Sequence, residues 1–226
     1  AALLAGAVAR TPVLVARMIN RSVGAARAYR TETELVRNGT IPPKSAGYEL
    51  TSFNIADDSH SIRMVATTVE ALHSAGSTVS VGALTAISEA MRRYLARERL
   101  GAEVTVARPV IAGHRNNFHN VGVDLHVEEP DLVRRAAMIG ASLAERRTRS
   151  DHPAVVAQGL ATRVTPAPLI RYGVRIADLT GVPTRVAGNT VVTSVNRGPD
   201  DLVLGGGPVR FTAGFPALSP VMGVTH

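Results

Sequence analysis

STVSVGALTAISEAMRRYLARERLGAEVTVARPVIAGHRNNFHNVGVDLHV, residues 77–127, is the stretch that decides the fold. Its first half reads as a helix. Ser77-Thr78 offer hydroxyl caps, and the apolar positions Val79, Ala83, Ala86, Ile87, Ala90, Met91, Tyr94 and Leu95 recur with a period of about 3.6 residues. The spacing predicts a helix from Val79 to about Arg99, stopped by Gly101. The second half reads as strand. Val104 to Ile111 is mostly β-branched, as a strand buried on both faces would be. Val121, Val123, Leu125 and Val127 alternate with Gly122, Asp124 and His126, which predicts a half-exposed strand. A capped amphipathic helix feeding two such strands implies a mixed α/β domain built in layers.

Upstream, Thr11-Pro12 reads as a helix start, with Thr as cap and Pro at the first helical position, and the helix runs to about Tyr29. Arg10, Arg17 and Arg21 lie near one face with Leu14 among them, so a bridging helix fits better than a membrane-surface one. Residues 37–47 have linker composition, which sets a boundary. Residues 1–47 are then a bridging helix and linker, and 48–226 form the main domain. Tyr48–Ile55 and Ser61–Ala66 read as strands, and Thr67–Ala75 as a short helix closed by Gly76. Downstream, Pro130-Asp131 opens a helix through about Arg147, and Pro153–Leu179 is helical with a break at Pro166 or Pro168. Thr190–Ser194 is a strand, and Leu202–Leu204 with Val209–Thr212 form a hairpin around Gly205-Gly206-Gly207. The fold class is α/β, a mixed sheet layered with helices.

Composition narrows the chemistry. There is no Cys, which excludes disulfides, a thiolate zinc site and a cysteine nucleophile. There is no Trp and only 4% of residues are aromatic, so the core is built from Val, Leu, Ile and Ala. The formal charge is +7, and Lys44 is the sole lysine. Arginine clusters occur at Arg92-Arg93, Arg134-Arg135 and Arg146-Arg147-Arg149 on predicted helices. Such clusters are either solvated helix faces or surfaces that attract anionic lipid or coenzyme A phosphates. Nucleic acid is not an expected partner, because stacking aromatics are not interleaved with them. The longest apolar run, Ala1–Ala9, is about half a membrane span and lacks the basic flank of a signal peptide. Ala1 therefore reads as an internal position of a longer polypeptide or a cleaved end.

Several stretches resemble the bacterial wax ester synthase/diacylglycerol acyltransferase family. Gly76-Ser77-Thr78-Val79, then Leu84 and Ala90-Met91-Arg92-Arg93-Tyr94-Leu95, is similar to the family's Gly-x-Thr-Val-Asn-Asp helix that ends in Ala-Leu-Arg-Arg-Tyr-Leu. Arg108-Pro109-Val110, Asn116-Asn117 and a strand ending at Leu125 resemble its Val-Pro-Val strand, Gly-Asn pair and following strand. Glu129-Pro130-Asp131 to Arg135 is similar to its Asp-Pro helix start. Thr193-Ser194-Val195-Asn196-Arg197-Gly198-Pro199, followed by Leu204, Gly206 and Pro220, resembles Ser-Asn-Val-Pro-Gly-Pro, a Gly-rich hairpin and Ser-Pro. The matches run in order over residues 48–226.

The resemblance implies the C-terminal half of a two-domain fold like chloramphenicol acetyltransferase, with a tunnel between the halves. It implies transfer of an acyl group from acyl-CoA to diacylglycerol or a fatty alcohol. In the family, a His-His-x-x-x-Asp-Gly motif in the N-terminal half deprotonates the alcohol. Acyl-CoA is then a co-substrate and no cofactor is expected. The N-terminal half is the expected partner. Location is expected in the cytoplasm, with peripheral contact at the inner membrane face or a lipid droplet. The sequence departs from the pattern at Ser80-Val81 for Asn-Asp, Asn116-Asn117 for Gly-Asn, and Ser194-Val195-Asn196-Arg197 for Ser-Asn-Val-Pro. A non-catalytic lipid-binding or scaffolding member is the alternative. A condensation domain with a carrier-bound thioester is a third.

Alcohol acylation needs a base that titrates near neutrality. None of His60, His73, His114, His119, His126, His152 and His226 has an Asp four residues on, so no residue of this chain is expected to be the catalytic base. His114, His119, Asp124 and His126 form the densest polar cluster, but His119 has the opposite strand parity from Asp124 and His126. They read as surface or tunnel-lining residues, and no metal is expected. Gly205-Gly206-Gly207 precedes a strand, so it reads as a turn and not as a phosphate cradle. The expected substrate-binding residues are Ser80, Asn116, Asn117, Ser194, Asn196 and Gly198. For the Asn and Ser positions at strand ends, turn capping is the competing role.

Overall fold

The computed structural model describes residues 2–55, 63–66, 78–107, 118–164, 167–176, 183–195, 201–209 and 221–226. Its elements run α1 (Ala2–Arg37), β1 (Tyr48–Glu49), a 3-10 turn (Ser52–Asn54), α2 (Val79–Leu95), β2 (Gly101–Ala107), β3 (Phe118–Asp124), α3 (Leu132–Asp151), α4 (Pro153–Val164), α5 (Ala167–Ile176), β4 (Arg185–Val186), β5 (Thr190–Val192), β6 (Val203–Leu204) and β7 (Gly207–Pro208). The mixed helices and small sheets make the chain α/β. The helix expected over 67–75 lies outside the described residues, and 63–66 carry no regular structure. No helix among the described residues is long and apolar enough to cross a membrane.

Two compact units share the chain. One takes residues 1–44 and 144–182, the other 45–107, 112–143 and 183–226. The first unit is helical. The expected start at Thr11-Pro12 is not where α1 begins, because strong helix formers on the N-terminal side of Pro12 carry it back to Ala2. At its other end Asn38-Gly39 close the helix: Gly39 takes φ +76°, Gly39 N–H donates to the Val36 carbonyl at 3.1 Å, and Thr40 N–H donates to the Leu35 carbonyl at 2.9 Å. This paired closure satisfies carbonyls that the helix cannot. α1 packs along α4. Glu32 is buried there and accepts from Arg149 and from Gln158. Arg149 also donates to the Pro42 carbonyl at 2.7 Å, and Arg146 donates to that of Pro43. The helical stretch expected from Pro153 contains α4 and α5; Pro166 lies outside the described residues, and Pro168 is in the first turn of α5.

The second unit carries a three-stranded sheet in the order β3-β2-β5. β2 and β3 pair antiparallel, from Gly101 opposite Asp124 to Ala107 opposite Phe118. β2 and β5 pair parallel, with Val104 opposite Val192. The period-two pattern places Ala102, Val104, Val106, Val121, Val123 and Val192 on one face. That face joins Val81, Leu84 and Met91 of α2 and Ile139 and Leu143 of α3 in one core, all buried. Each such aliphatic side chain contributes roughly 1.5–3 kcal/mol on burial. Leu100 and Leu125, both without exposure, close one end of the core.

α2 begins as the sequence predicts, with Thr78 Oγ1 accepting from Val81 N–H. It ends earlier than expected, at Leu95, because Ala96 turns into the left-handed region at φ 45°. Gly101 therefore opens β2 and does not end the helix. The left-handed alanine at position 96 costs about 1–2 kcal/mol of backbone strain, against about 0.5–1 kcal/mol for the extra freedom of an unfolded glycine. Ala96→Gly is expected to stabilise this unit by about 0.5–1 kcal/mol, read as a rise in urea midpoint with an unchanged slope.

The expected strand over Tyr48–Ile55 is only two residues long. β1 pairs with β4, and the chain then turns into the 3-10 helix capped by Thr51. Arg185 fixes this pairing by donating to the Ala46 and Gly47 carbonyls at 2.9 and 2.8 Å. Two fully buried asparagines tie the small sheet to the larger one. Asn189 Nδ2 donates to the Glu49 carbonyl at 2.7 Å and to Asn54 Oδ1 at 3.0 Å, while its Oδ1 accepts from Gly101 N–H at 3.1 Å. Asn54 Nδ2 donates to the Asn189 and Val221 carbonyls. A polar network satisfied in this way fixes register as apolar packing alone does not.

Candidate functional site

Of the residues expected to bind substrate, Asn116, Asn117, Asn196 and Gly198 lie outside the described residues. Ser80 sits half-buried in the first turn of α2, two residues after the cap. Ser194 is exposed beyond the end of β5. Among the described residues, no hydrogen bond joins Ser80 to Ser194.

The sheet face opposite the helices is polar. Asn120 Nδ2 donates to Glu103 Oε1 at 2.8 Å, and Thr105 Oγ1 donates to Asn120 Oδ1 at 3.1 Å. Thr105 and Thr193 hydroxyls meet at 3.1 Å. The network crosses from β3 through β2 to the residue after β5, and its groups remain accessible. This is the hydrogen-bonding surface that the half-exposed strand predicts. Thr105, Asn120 and Thr193 were not singled out in the sequence, because each looks ordinary until the register sets them side by side.

At the end of α2, a cleft of about 570 Å³ is lined by Tyr48, Thr51, Arg97, Glu98, Arg99 and Arg185, among others. Arg99 lies 5.2 Å above the Tyr48 ring and donates to Asp124 Oδ2 at 3.1 Å. The hydrogen bond to Asp124 raises the Arg99 pKa further above its ordinary value.

The turn after β3 holds an imidazole between opposite kinds of partner. His126 Nε2 lies 2.9 Å from Ser142 Oγ, and Nδ1 lies 3.3 Å from Glu128 Oε1 and 4.0 Å from Asp124 Oδ1. Ser142, His126 and Glu128 thus have the spacing of a nucleophile, a base and its orienting acid. Ser142 is inside α3, however, where the surrounding N–H groups are used by the helix. No donors are left there for an oxyanion, so acyl chemistry on Ser142 lacks its main source of stabilisation. His119 lies on the opposite face of β3 from Asp124, as its parity predicts. His152 has a local role: its Nδ1 accepts from Ala154 N–H at 3.2 Å at the start of α4.

The arginine clusters are only partly surface features. Arg135 is fully buried, and Arg146 and Arg149 are spent on the Pro42-Pro43 carbonyls and Glu32. Arg92 and Arg93 are exposed but share Glu89. Hydrogen bonds from Arg92, Arg93 and Arg135 hold the Glu89 carboxyl well below the usual carboxylate range. Most of the clustered charge is therefore neutralised or committed, and Arg134, though exposed, lies 3.7 Å from Glu129, while Arg147 is exposed.

No protein-family model, curated protein or solved structure matches the chain.

Proposed function

We propose that the chain is the C-terminal half of an acyl-CoA-dependent O-acyltransferase that makes triacylglycerol or wax ester, with a chloramphenicol-acetyltransferase-like fold. The catalytic imidazole comes from polypeptide on its N-terminal side. One observation carries the reading: those parts of the family-like stretches that lie among the described residues fall, in order, at element boundaries of the sheet unit. Thr78 caps α2 and Met91–Leu95 ends it. Leu125 follows β3, and Asp131 caps α3 through Arg134 N–H at 2.8 Å. β5 leads into Thr193-Ser194, and Gly205-Gly206 turn the β6–β7 hairpin. Element ends are where side chains leave the core and reach a cleft.

The open polar face of Glu103, Thr105, Asn120 and Thr193 supports the same reading, since an adjoining half would cover it and close a tunnel. So does the exposed apolar stripe Val15, Ile19 and Val23 on α1, which a neighbouring domain would bury. Within this proposal the substrates are a long-chain acyl-CoA and diacylglycerol or a fatty alcohol. The alcohol loses its proton to the partner half's imidazole, its oxygen bonds to the thioester carbonyl carbon, and coenzyme A leaves as the thiol.

The test joins this chain to an N-terminal half bearing His-His-x-x-x-Asp-Gly and supplies long-chain acyl-CoA with each acceptor. Ester formation is the expected result. A well-folded two-half protein that turns over neither acceptor would reject the enzyme reading. Acyl-CoA binding without turnover would favour the non-catalytic lipid-binding alternative.

A further inference from the structure

We propose that Asp124, His126 and Glu128 bind a divalent transition-metal ion at the turn between β3 and α3, with Zn²⁺ the best match. The inference stands apart from the acyltransferase reading. It departs from the sequence expectation that His114, His119, Asp124 and His126 hold no metal, which turned on the opposite strand parity of His119. The residue that completes the set is Glu128. In an extended strand, alternate side chains such as these three would stand in a row about 7 Å apart. β3 stops at Asp124, and His126 enters the left-handed region at φ 45°, which draws the three together. One ligating atom from each now lies within 4.8 Å of the others.

The separations suit a small ion. Ligand atoms on a tetrahedral zinc with bonds of about 2.0–2.2 Å stand about 3.3–3.6 Å apart. His126 Nδ1 and Glu128 Oε1 are already at 3.3 Å, Asp124 Oδ1 lies 4.0 Å from Nδ1, and all three atoms lie within 4.8 Å of one another; closing the carboxylates on an ion takes side-chain shifts of up to about 1 Å. One imidazole with two carboxylates is a donor set that Zn²⁺ accepts and that Mg²⁺ or Ca²⁺, which favour all-oxygen shells, do not. Glu128 is exposed, so the fourth position faces solvent.

The groups behind the ligands hold them in place. Arg99 occupies Asp124 Oδ2, and the His126 backbone N–H donates to Asp124 Oδ1 at 3.0 Å. Ser142 Oγ meets His126 Nε2. When Nε2–H donates to that hydroxyl, the lone pair on Nδ1 points at two carboxylates, an arrangement that needs a cation between them. A proton on Nδ1 is the competing occupant. Arg99 adds positive charge nearby, but its side chain is 56% exposed and its repulsion of the ion is screened.

The experiment titrates the full chain with Zn²⁺ by calorimetry and with Co²⁺ as an optical probe, at neutral pH. One equivalent should bind, and Co²⁺ should give the intense visible bands of a four-coordinate site. His126→Asn keeps a residue that tolerates the left-handed turn, and Glu128→Gln changes an exposed side chain, so both variants should fold. Each should lose the site or weaken it by at least about tenfold, and Ser142→Ala should weaken it by about tenfold. His152→Ala should bind as the parent does. Failure of the parent chain to take up either ion overturns the proposal. So does binding that survives unchanged in both His126→Asn and Glu128→Gln.

Discussion

Gly188→Ala is expected to destabilise the sheet unit by about 3 kcal/mol, the upper end of what forced overpacking costs. A Cβ at Gly188 would stand 2.3 Å from the Glu103 nitrogen and 2.5 Å from the Ala102 carbonyl carbon. Both are backbone atoms of β2, so no side chain can swing aside. The only relief is to push β5 away from β2. That movement breaks the parallel pairing that starts at Ala102 opposite Thr190. It also pulls on Asn189, whose N–H donates to the Gly101 carbonyl at 2.7 Å. A single methyl group thus acts on two sheets through one asparagine. Gly24→Ala on α1 is the control: nothing lies within 4 Å of the added carbon, and the helix gains about 0.5–1 kcal/mol from alanine. Urea unfolding should separate the two variants by sign. Amide exchange at Thr190–Val192 should accelerate in Gly188→Ala alone. Unchanged exchange there would mean that β5 does not depend on this close approach.

The parts of the fold legible in the sequence are those that repeat. The helical period from Val79 to Leu95 and the alternation from Val121 onward are each carried by several residues facing one core, so either pattern survives local exceptions. What stayed hidden depends on single residues acting at long range. β1 and β4 are two residues each, too short for any period, and are held by Arg185 reaching the carbonyls of Ala46 and Gly47. Asn54 and Asn189 look like turn residues locally, yet both are fully buried and bonded across 135 positions of sequence. Thr11-Pro12 has the local form of a helix start, yet it lies inside α1. The loss of one helix hydrogen bond does not outweigh the formers on either side.

The site was less legible than the fold. Ser80 and Ser194 stand out only through a family pattern, and among the described residues no hydrogen bond joins them. Thr105, Asn120 and Thr193 become a surface only when strand register is known. His126 was placed by parity on a strand that in fact ends at Asp124. Its neighbours Glu128 and Ser142 follow from the turn and from α3 packing, neither of which a period-two reading contains. The charge clusters misled for a related reason. Adjacent arginines on a helix point in different directions, so Arg134 is exposed while Arg135 is sealed in the interior.

Arg135→Ala is expected to cost about 3–5 kcal/mol, comparable to or larger than the glycine change. Its side chain has no exposure, and it joins α2 to α3. Nε donates to the Glu129 carbonyl at 2.7 Å, and one terminal nitrogen reaches Ser88 Oγ at 3.2 Å and Glu89 Oε2 at 3.0 Å. The other terminal nitrogen is buried without an acceptor among the described residues, so the arrangement is a compromise and not an ideal pair. Truncation leaves a cavity and removes one donor from each of three acceptors, of which Glu89 Oε2 keeps Arg92. Arg135→Met fills part of the cavity, still removes the guanidinium donor from Ser88 Oγ and the Glu129 carbonyl, and should cost about 2 kcal/mol. Glu89 remains ionised in both variants, because Arg92 and Arg93 still hold it. Its pKa is depressed in the folded state, so the stability it contributes is complete above the unfolded value of about 4.3 and is lost as pH falls through the folded one. Removing Arg135 takes away one of the three hydrogen bonds that depress it, and the acid transition should move to higher pH. Glu89→Gln should abolish this carboxyl's share of that transition. Urea unfolding at neutral pH and thermal unfolding between about pH 2 and 5 measure both effects. An Arg135→Ala variant within about 1 kcal/mol of the parent would mean that the guanidinium merely fills space between the helices.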